Sequence, residues 1–188
     1  MRADAARNLE AVLVTGARML AVDPGVSMAG IAAEAGVDRR TVYRRFASRE
    51  ELLAAVYEAR LSAVEGAIAD ARLGEAPVAV ALHRYVENVI GVNRKWPVDL
   101  ARMLADDAVR ARRDACVRDV EAFLRRATCE GLLREDLPPG WAATVLPELV
   151  TLAAHGQAHR DAGRAADLVV ESFLRGAGAA GAAVRPAG

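Results

Sequence analysis

A short helix, a glycine turn and a second short helix follow one another near the N-terminus, and this order constrains the chain more than any other feature. Ser27 is a favourable N-cap for a helix over 28–35, and Gly36 supplies the left-handed conformation that ends it. Asp38 then caps a second helix over 39–46. The pattern predicts a helix-turn-helix.

Apolar side chains recur every three or four residues along the rest of the chain, which is the period of amphipathic helices. Only 4% of the residues are aromatic, so β-strands would lack many of the side chains that favour them. We therefore predict an all-α fold of about nine helices, with the two short ones joined by others over 4–22, 48–72, 78–96, 98–105, 107–130, 141–162 and 165–174.

Positive charge is concentrated in the predicted helix-turn-helix, although the formal charge of the 188-residue chain is zero. At about 100° per residue, Arg40 and Arg44 fall on the side of the second short helix opposite to Val42 and Phe46. Arginines on an exposed face can read guanine through paired hydrogen bonds, so these two are candidate base readers. The stretch 36–49 holds one acidic residue and five arginines, namely Arg39, Arg40, Arg44, Arg45 and Arg49.

Two further residues stand at predicted helix N-termini, where free backbone amides and polar side chains hold phosphate oxygens. They are Ser27 and Arg49, and we expect them to position the protein on DNA. An arginine cluster can equally be a solvated helix face, and a tight helix pair also occurs in enzymes and adaptors that bind no DNA. A nonspecific DNA binder is a third possibility, but such proteins spread basic residues widely.

The stretch 27–46, SMAGIAAEAGVDRRTVYRRF, and the following ASREELL resemble the DNA-binding region of TetR-type transcriptional regulators. The resemblance implies that Thr41, Tyr43 and Arg49 contact DNA. Arg40 stands where many members have glycine, so the operator sequence does not follow from the resemblance. The resemblance further implies a DNA-binding domain over 1–47 and an effector-binding and dimerisation domain over 48–176. We expect the tail over 177–188 to be disordered.

The resemblance also implies a homodimer in which the last two helices of each copy form a four-helix bundle. Both helices carry more apolar surface than a single core contact uses. Burial within one copy is the alternative explanation. The candidate interface residues are Trp141, Val145, Leu149, Leu152, Val169 and Phe173.

An effector pocket among the middle helices is likewise implied, and with it a repressor that a small, mostly apolar effector releases from a palindromic double-stranded DNA operator. Each candidate lining residue can equally be plain core. These candidates are His83, Tyr85, Asn88, Trp96, Met103 and Phe123.

Catalytic and metal sites are not expected. The sequence has no phosphate-binding glycine motif, nucleophile elbow or carboxylate pair with a catalytic spacing, so we expect no enzyme and no cofactor. His155 and His159 have a metal-binding spacing without further ligands nearby, and we interpret them as structural. With no membrane-length apolar run and no secretory signal, we expect a cytoplasmic protein with Cys116 and Cys129 as reduced core thiols.

Overall fold

A computed structural model describes residues 2–98, 107–156 and 161–179 of the chain. In these ranges the chain is helical, and the only β-structure is an isolated bridge between Leu133 and Gly178. The all-α expectation is therefore confirmed. Residues 99–105 of the predicted helix over 98–105 and most of the predicted tail lie outside the described residues. The described residues form eight helices, which are α1 (Arg2–Val22), α2 (Met28–Glu34), α3 (Arg39–Arg45), α4 (Arg49–Ala71), α5 (Val78–Lys95), α6 (Asp107–Cys129), α7 (Trp141–His155) and α8 (Ala162–Ala177).

The two short helices begin at the residues that the sequence indicates. The Ser27 hydroxyl accepts a hydrogen bond from the Gly30 amide at 3.1 Å, and the Asp38 carboxylate accepts one from the Arg40 amide at 2.8 Å. Between the helices, Gly36 has a φ of +65°, a conformation that side chains with a Cβ resist. Local side-chain chemistry thus fixes where α2 and α3 start and stop.

The start of α4 is held by a capping box that reaches one residue further than usual. The Glu51 amide donates to the Ser48 hydroxyl at 3.2 Å. In return, the Glu51 carboxylate accepts a hydrogen bond at 2.7 Å from the amide of Ala47. One amide of the first turn of α4 and one amide just before the cap are therefore satisfied.

The chain divides into two compact units. The N-terminal unit comprises Met1–Ala63 and Lys95–Arg110, and the C-terminal unit comprises Val64–Arg94 and Ala111–Gly188. Helix α4 contributes residues to both. In the N-terminal unit, Gly16 permits a close approach, because a Cβ there would lie 3.3 Å from a Val56 methyl carbon. The core of this unit includes Val12, Leu20, Met28, Ile31, Val42, Phe46, Leu52 and Val56.

The C-terminal unit packs α5, α6, α7 and α8 around one apolar core. Its most deeply buried large side chains are Leu82, Ile90, Leu133, Leu146 and Phe173. A short tie closes the unit, since the Arg134 amide donates to the Ala177 carbonyl at 2.9 Å and the Ala179 amide to the Leu132 carbonyl at 3.1 Å. The segment after α8 is thereby fixed beside the segment after α6.

The expectation of two core thiols was wrong. Cys129 is exposed and Cys116 is half-buried, and both are free. Cys129 is the last residue of α6, beyond the buried stripe that ends at Ala127. Burial and the nearby carboxylate of Glu65 raise the pKa of the Cys116 thiol, which disfavours the reactive thiolate.

Candidate DNA-binding surface

Helix α3 separates its core residues from its polar residues. Val42 is 2% exposed and Phe46 is 6% exposed, so both belong to the core of the N-terminal unit. Arg40 and Arg44 are exposed on the same helix, and Thr41 is half-buried. The side chains that helical geometry places opposite the core therefore do face solvent.

Four arginines of α3 present their charge to solvent. Arg39, Arg40, Arg44 and Arg45 are all exposed, and none forms an ion pair with a carboxylate in the described part of the chain. The guanidinium carbon of Arg39 lies 5.0 Å from the centre of the Tyr43 ring, which is a cation–π contact. Unpaired cations on a narrow helix attract phosphates, because binding releases condensed counterions.

Ser27 and Arg49 are placed differently from each other. Ser27 is exposed while its hydroxyl caps α2. Arg49 is half-buried, and its guanidinium turns toward the α1–α2 turn. There Nε donates to the Val26 carbonyl at 3.2 Å, and Nη2 donates to the Pro24 carbonyl. The guanidinium of Arg49, which was predicted to contact DNA, is therefore hydrogen-bonded to two backbone carbonyls of its own chain.

The predicted effector residues are distributed over both units. Trp96 is 5% exposed in the N-terminal unit, where its carbonyl accepts a 2.6 Å hydrogen bond from Arg60. His83 lies at the surface of the C-terminal unit, with Nε2 2.8 Å from Asp167 and Nδ1 3.9 Å from Glu87. Met103 lies outside the described residues.

The remaining three candidates belong to the C-terminal unit. Tyr85 and Phe123 are buried in its core, and the Asn88 amide donates to the Ala67 carbonyl at 3.1 Å. The Tyr85 hydroxyl forms no hydrogen bond with any described residue. Burial, with a smaller contribution from Cys116, raises the pKa of Tyr85 to about 12, so this hydroxyl is a neutral donor. The residue as a whole is 6% exposed.

Apolar residues on α7 and α8, some of them exposed, line a cleft that we call the apolar cleft. Leu152 is 71% exposed and Leu168 is 48% exposed. The cleft has a volume of about 240 Å³ and is also lined by Leu149 and Val169. Of the other predicted interface residues, Trp141 and Val145 are half-buried, whereas Phe173 is 1% exposed and packs inside its own chain.

Within the described residues, the structure shows neither a metal-binding cluster nor a membrane-spanning helix. No group of three or more histidine, cysteine or acidic side chains there could hold a metal ion. None of the described helices combines the length and the apolar character that a membrane span needs. His159 lies outside the described residues, and the ring of His155 contacts the Thr151 carbonyl at 2.8 Å.

Comparison with known proteins adds independent findings. Residues 13–56 match the family described as "Bacterial regulatory proteins, tetR family". The chain is 33% identical over 144 residues to the HTH-type transcriptional repressor LfrR of Mycolicibacterium smegmatis, and this match covers 74% of the chain and 73% of LfrR.

Solved structures extend the similarity to most of the chain. The crystal structure of the TetR-like transcriptional regulator LfrR from Mycobacterium smegmatis in complex with proflavine has a TM-score of 0.70 and 26% identity, covering 95% of this chain and 97% of that one. The ketosteroid transcriptional regulator KstR2 of Mycobacterium tuberculosis has a TM-score of 0.74 at 17% identity, with 90% and 94% covered. At that identity the second similarity shows the fold alone.

Proposed function

This chain belongs to the TetR family of bacterial regulatory proteins, and we propose that it represses transcription by binding a palindromic operator in double-stranded DNA. Members of the family are transcriptional regulators and not enzymes, so the enzyme alternative falls away. We assign DNA binding to residues 1–47, and effector binding and dimerisation to residues 48–176. Its place of action is then the cytoplasm.

The two faces of α3 are the observation that carries this proposal. With Val42 and Phe46 buried, Arg40 and Arg44 point away from the protein and reach base edges in the major groove. Around them, Ser27, Arg39, Thr41 and Tyr43 contact the sugar-phosphate backbone or the groove walls. A net charge of zero leaves the arginines of α3 as the main attraction for DNA.

Dimerisation is proposed through the apolar cleft. Leu152 and Leu168 expose apolar surface that a second copy would cover, with contributions from the half-buried Trp141, Val145 and Leu149. Two copies would present two α3 helices to half-sites about 34–36 Å apart, one turn of DNA, or a multiple of it. The two copies would be related by a two-fold axis, and this symmetry is why the operator should be palindromic.

The proposed effector site lies around Tyr85 in the C-terminal unit. Its hydroxyl forms no hydrogen bond with any described residue, and Asn88 and Phe123 belong to the same unit. A mostly apolar effector with one hydrogen-bond acceptor would satisfy that hydroxyl. LfrR has been crystallised with proflavine, which makes proflavine a reasonable first probe for this chain. Effector binding would release DNA to the extent that it favours a state unable to bind the operator.

Gel shifts over a range of salt concentrations test DNA binding. We expect the wild-type protein to bind a duplex from upstream of its own gene with an affinity that falls steeply with salt. Arg44→Ala should lower discrimination at one base pair by about 1–3 kcal/mol. The matched control is Arg118→Ala, which removes an exposed arginine of α6. A wild-type protein with no DNA affinity would refute the proposal, and unchanged discrimination in Arg44→Ala would refute base reading by that residue.

The effector site is tested by thermal shift with proflavine and with neutral apolar compounds. A ligand that uses the Tyr85 hydroxyl should raise the melting temperature of the wild-type protein more than that of Tyr85→Phe. Equal shifts in the two proteins would place ligand binding elsewhere.

A further inference from the structure

We propose that Arg49 is a positioning residue for DNA binding, which fixes the α1–α2 turn instead of contacting a phosphate. The proposal rests on the proposed DNA-binding function and assigns Arg49 a role different from the one that the family resemblance implies. It starts from the two hydrogen bonds that its guanidinium donates to the carbonyls of Pro24 and Val26.

Those two carbonyls have no other hydrogen-bond partner in the described part of the chain. They belong to the turn that links α1 to α2, where the Gly25 amide donates to the Asp23 carboxylate at 2.8 Å and the Val26 amide to the Asp23 carbonyl at 3.2 Å. The amide donors of Gly25 and Val26 are thus both used within the turn itself. Arg49 satisfies the acceptors that remain, which is a function for which a planar guanidinium with several fixed donors is suited.

The turn matters for DNA binding because it leads directly into α2. Ser27, the residue after Val26, caps α2, and the buried Ile31 and Ala32 of α2 belong to the same core as Val42 of α3. A turn fixed by Arg49 therefore fixes the start of the helix on which α3 packs. Arg49 is the first residue of α4, so the contact ties the beginning of α2 to the beginning of α4.

Charge and geometry give opposite predictions for a lysine at this position. A lysine keeps the positive charge that a phosphate contact needs, but it lacks the fork that serves two carbonyls at once. A phosphate contact is therefore rescued by Arg49→Lys, whereas the positioning role is not. The two roles also differ in salt dependence, because only a phosphate contact releases counterions.

The experiment measures binding to the duplex from upstream of its own gene, at several salt concentrations, for the wild type, Arg49→Ala and Arg49→Lys. We expect both variants to bind about tenfold more weakly, with the same slope of log affinity against log salt as the wild type. The control is Arg39→Ala, an exposed arginine whose loss should reduce the slope by about 0.9 if it contacts a phosphate. Wild-type affinity in Arg49→Lys, together with a slope reduced by about 0.9 in Arg49→Ala, would overturn the proposal.

A double-mutant cycle with Ser27→Ala separates positioning from a general loss of stability. The Ser27 cap holds the first turn of α2, and the guanidinium holds the α1–α2 turn directly before it. Because the two contacts support the same helix start, Arg49→Lys should cost less DNA affinity in the Ser27→Ala background than in the wild type. Additive losses would contradict action through the turn.

A measurement without DNA keeps the proposal independent of the proposed function. Amide hydrogen exchange at Gly30 and Ile31, in the first turn of α2, should become faster in both Arg49 variants, while the amides of Val86 and Ile90 in α5 should not change. If the wild type fails to bind DNA, the proposed function fails but this measurement still decides the role of Arg49. Unchanged exchange at Gly30 and Ile31 would refute it.

Discussion

Val42 and Tyr43 are consecutive residues of α3 whose side chains lie on different sides of the helix. Val42 is 2% exposed, whereas Tyr43 is 44% exposed and carries the Arg39 guanidinium over its ring. One side chain holds the helix in place, and the next is presented to whatever the helix binds. Stability and DNA binding should therefore respond to different substitutions in α3.

Val42→Ala should lower the free energy of unfolding by about 2 kcal/mol, because it removes two buried carbon atoms and leaves a cavity. Tyr43→Ala should change that free energy by no more than about 0.5 kcal/mol, since the ring is exposed. It should nevertheless weaken DNA binding. Urea unfolding and gel shifts measure the two effects, and a Tyr43→Ala protein that binds DNA normally would exclude that ring from the interface.

Leu152→Glu should convert the proposed dimer to a monomer without unfolding the chain. Leu152 is 71% exposed in a single copy, so glutamate there costs the monomer little, whereas burying an unpaired charge in the proposed interface costs several kcal/mol. Analytical ultracentrifugation measures the change. The control is Val80→Glu, which charges an exposed valine of α5 and should leave the oligomeric state as it is. A dimeric Leu152→Glu protein would move the interface to another surface.

The Glu65–Arg112 pair should stabilise the chain at neutral pH and lose its effect in acid. Arg112 donates two hydrogen bonds of 2.8 Å to the Glu65 carboxylate, which lowers the pKa of Glu65 below its ordinary value. The contribution is therefore complete above that ordinary value and disappears as the pH falls through the lowered pKa. Both side chains are more than a third exposed, so we expect at most about 1 kcal/mol.

Urea unfolding of the wild type and Glu65→Gln at several pH values measures this contribution. The stability difference should be largest near pH 7 and should shrink in acid, as the pH falls through the lowered pKa of Glu65 and the wild-type carboxyl becomes neutral. Glu135→Gln, which changes an exposed residue that forms no hydrogen bond or ion pair with the described residues, should show no such trend. A difference independent of pH would mean that packing, and not charge, makes the pair matter.

Two glycines should respond in opposite directions to substitution by alanine. A Cβ at Gly66, in the middle of α4, would meet nothing within 4 Å, so Gly66→Ala should raise stability by about 0.5–1 kcal/mol. A Cβ at Gly178 would lie 2.4 Å from the Leu174 carbonyl oxygen, so Gly178→Ala should disturb the end of α8 and lower stability by about 1–3 kcal/mol. Thermal unfolding gives both values, and a stabilising Gly178→Ala would contradict the close approach described here.

The DNA-binding motif could be predicted from the sequence because its signals are local. Ser27, Gly36 and Asp38 each act on backbone groups within three or four residues, and the faces of α3 follow from helical periodicity. The predicted boundaries of α2 and α3 differ from the observed ones by a single residue at their C-terminal ends. Local rules sufficed where short-range hydrogen bonds decide the conformation.

The roles of Arg49 and His83 could not be predicted, because each depends on residues distant in the chain. Arg49 bonds to carbonyls 23 and 25 positions earlier, and His83 contacts Asp167, 84 positions later. Periodicity identified Phe173 as apolar but did not tell whether its own chain or a second copy covers it. The fold of the C-terminal unit decides that question by burying Phe173 among α5 to α8.

The brevity of α3 has a consequence of its own. Seven residues make about two turns, and a segment of that length does not stay helical in water without support. The four exposed arginines of α3 therefore keep their positions only while Val42 and Phe46 remain packed in the core. Any agent that displaces these two side chains should abolish DNA recognition by unfolding α3, and not by moving an intact helix.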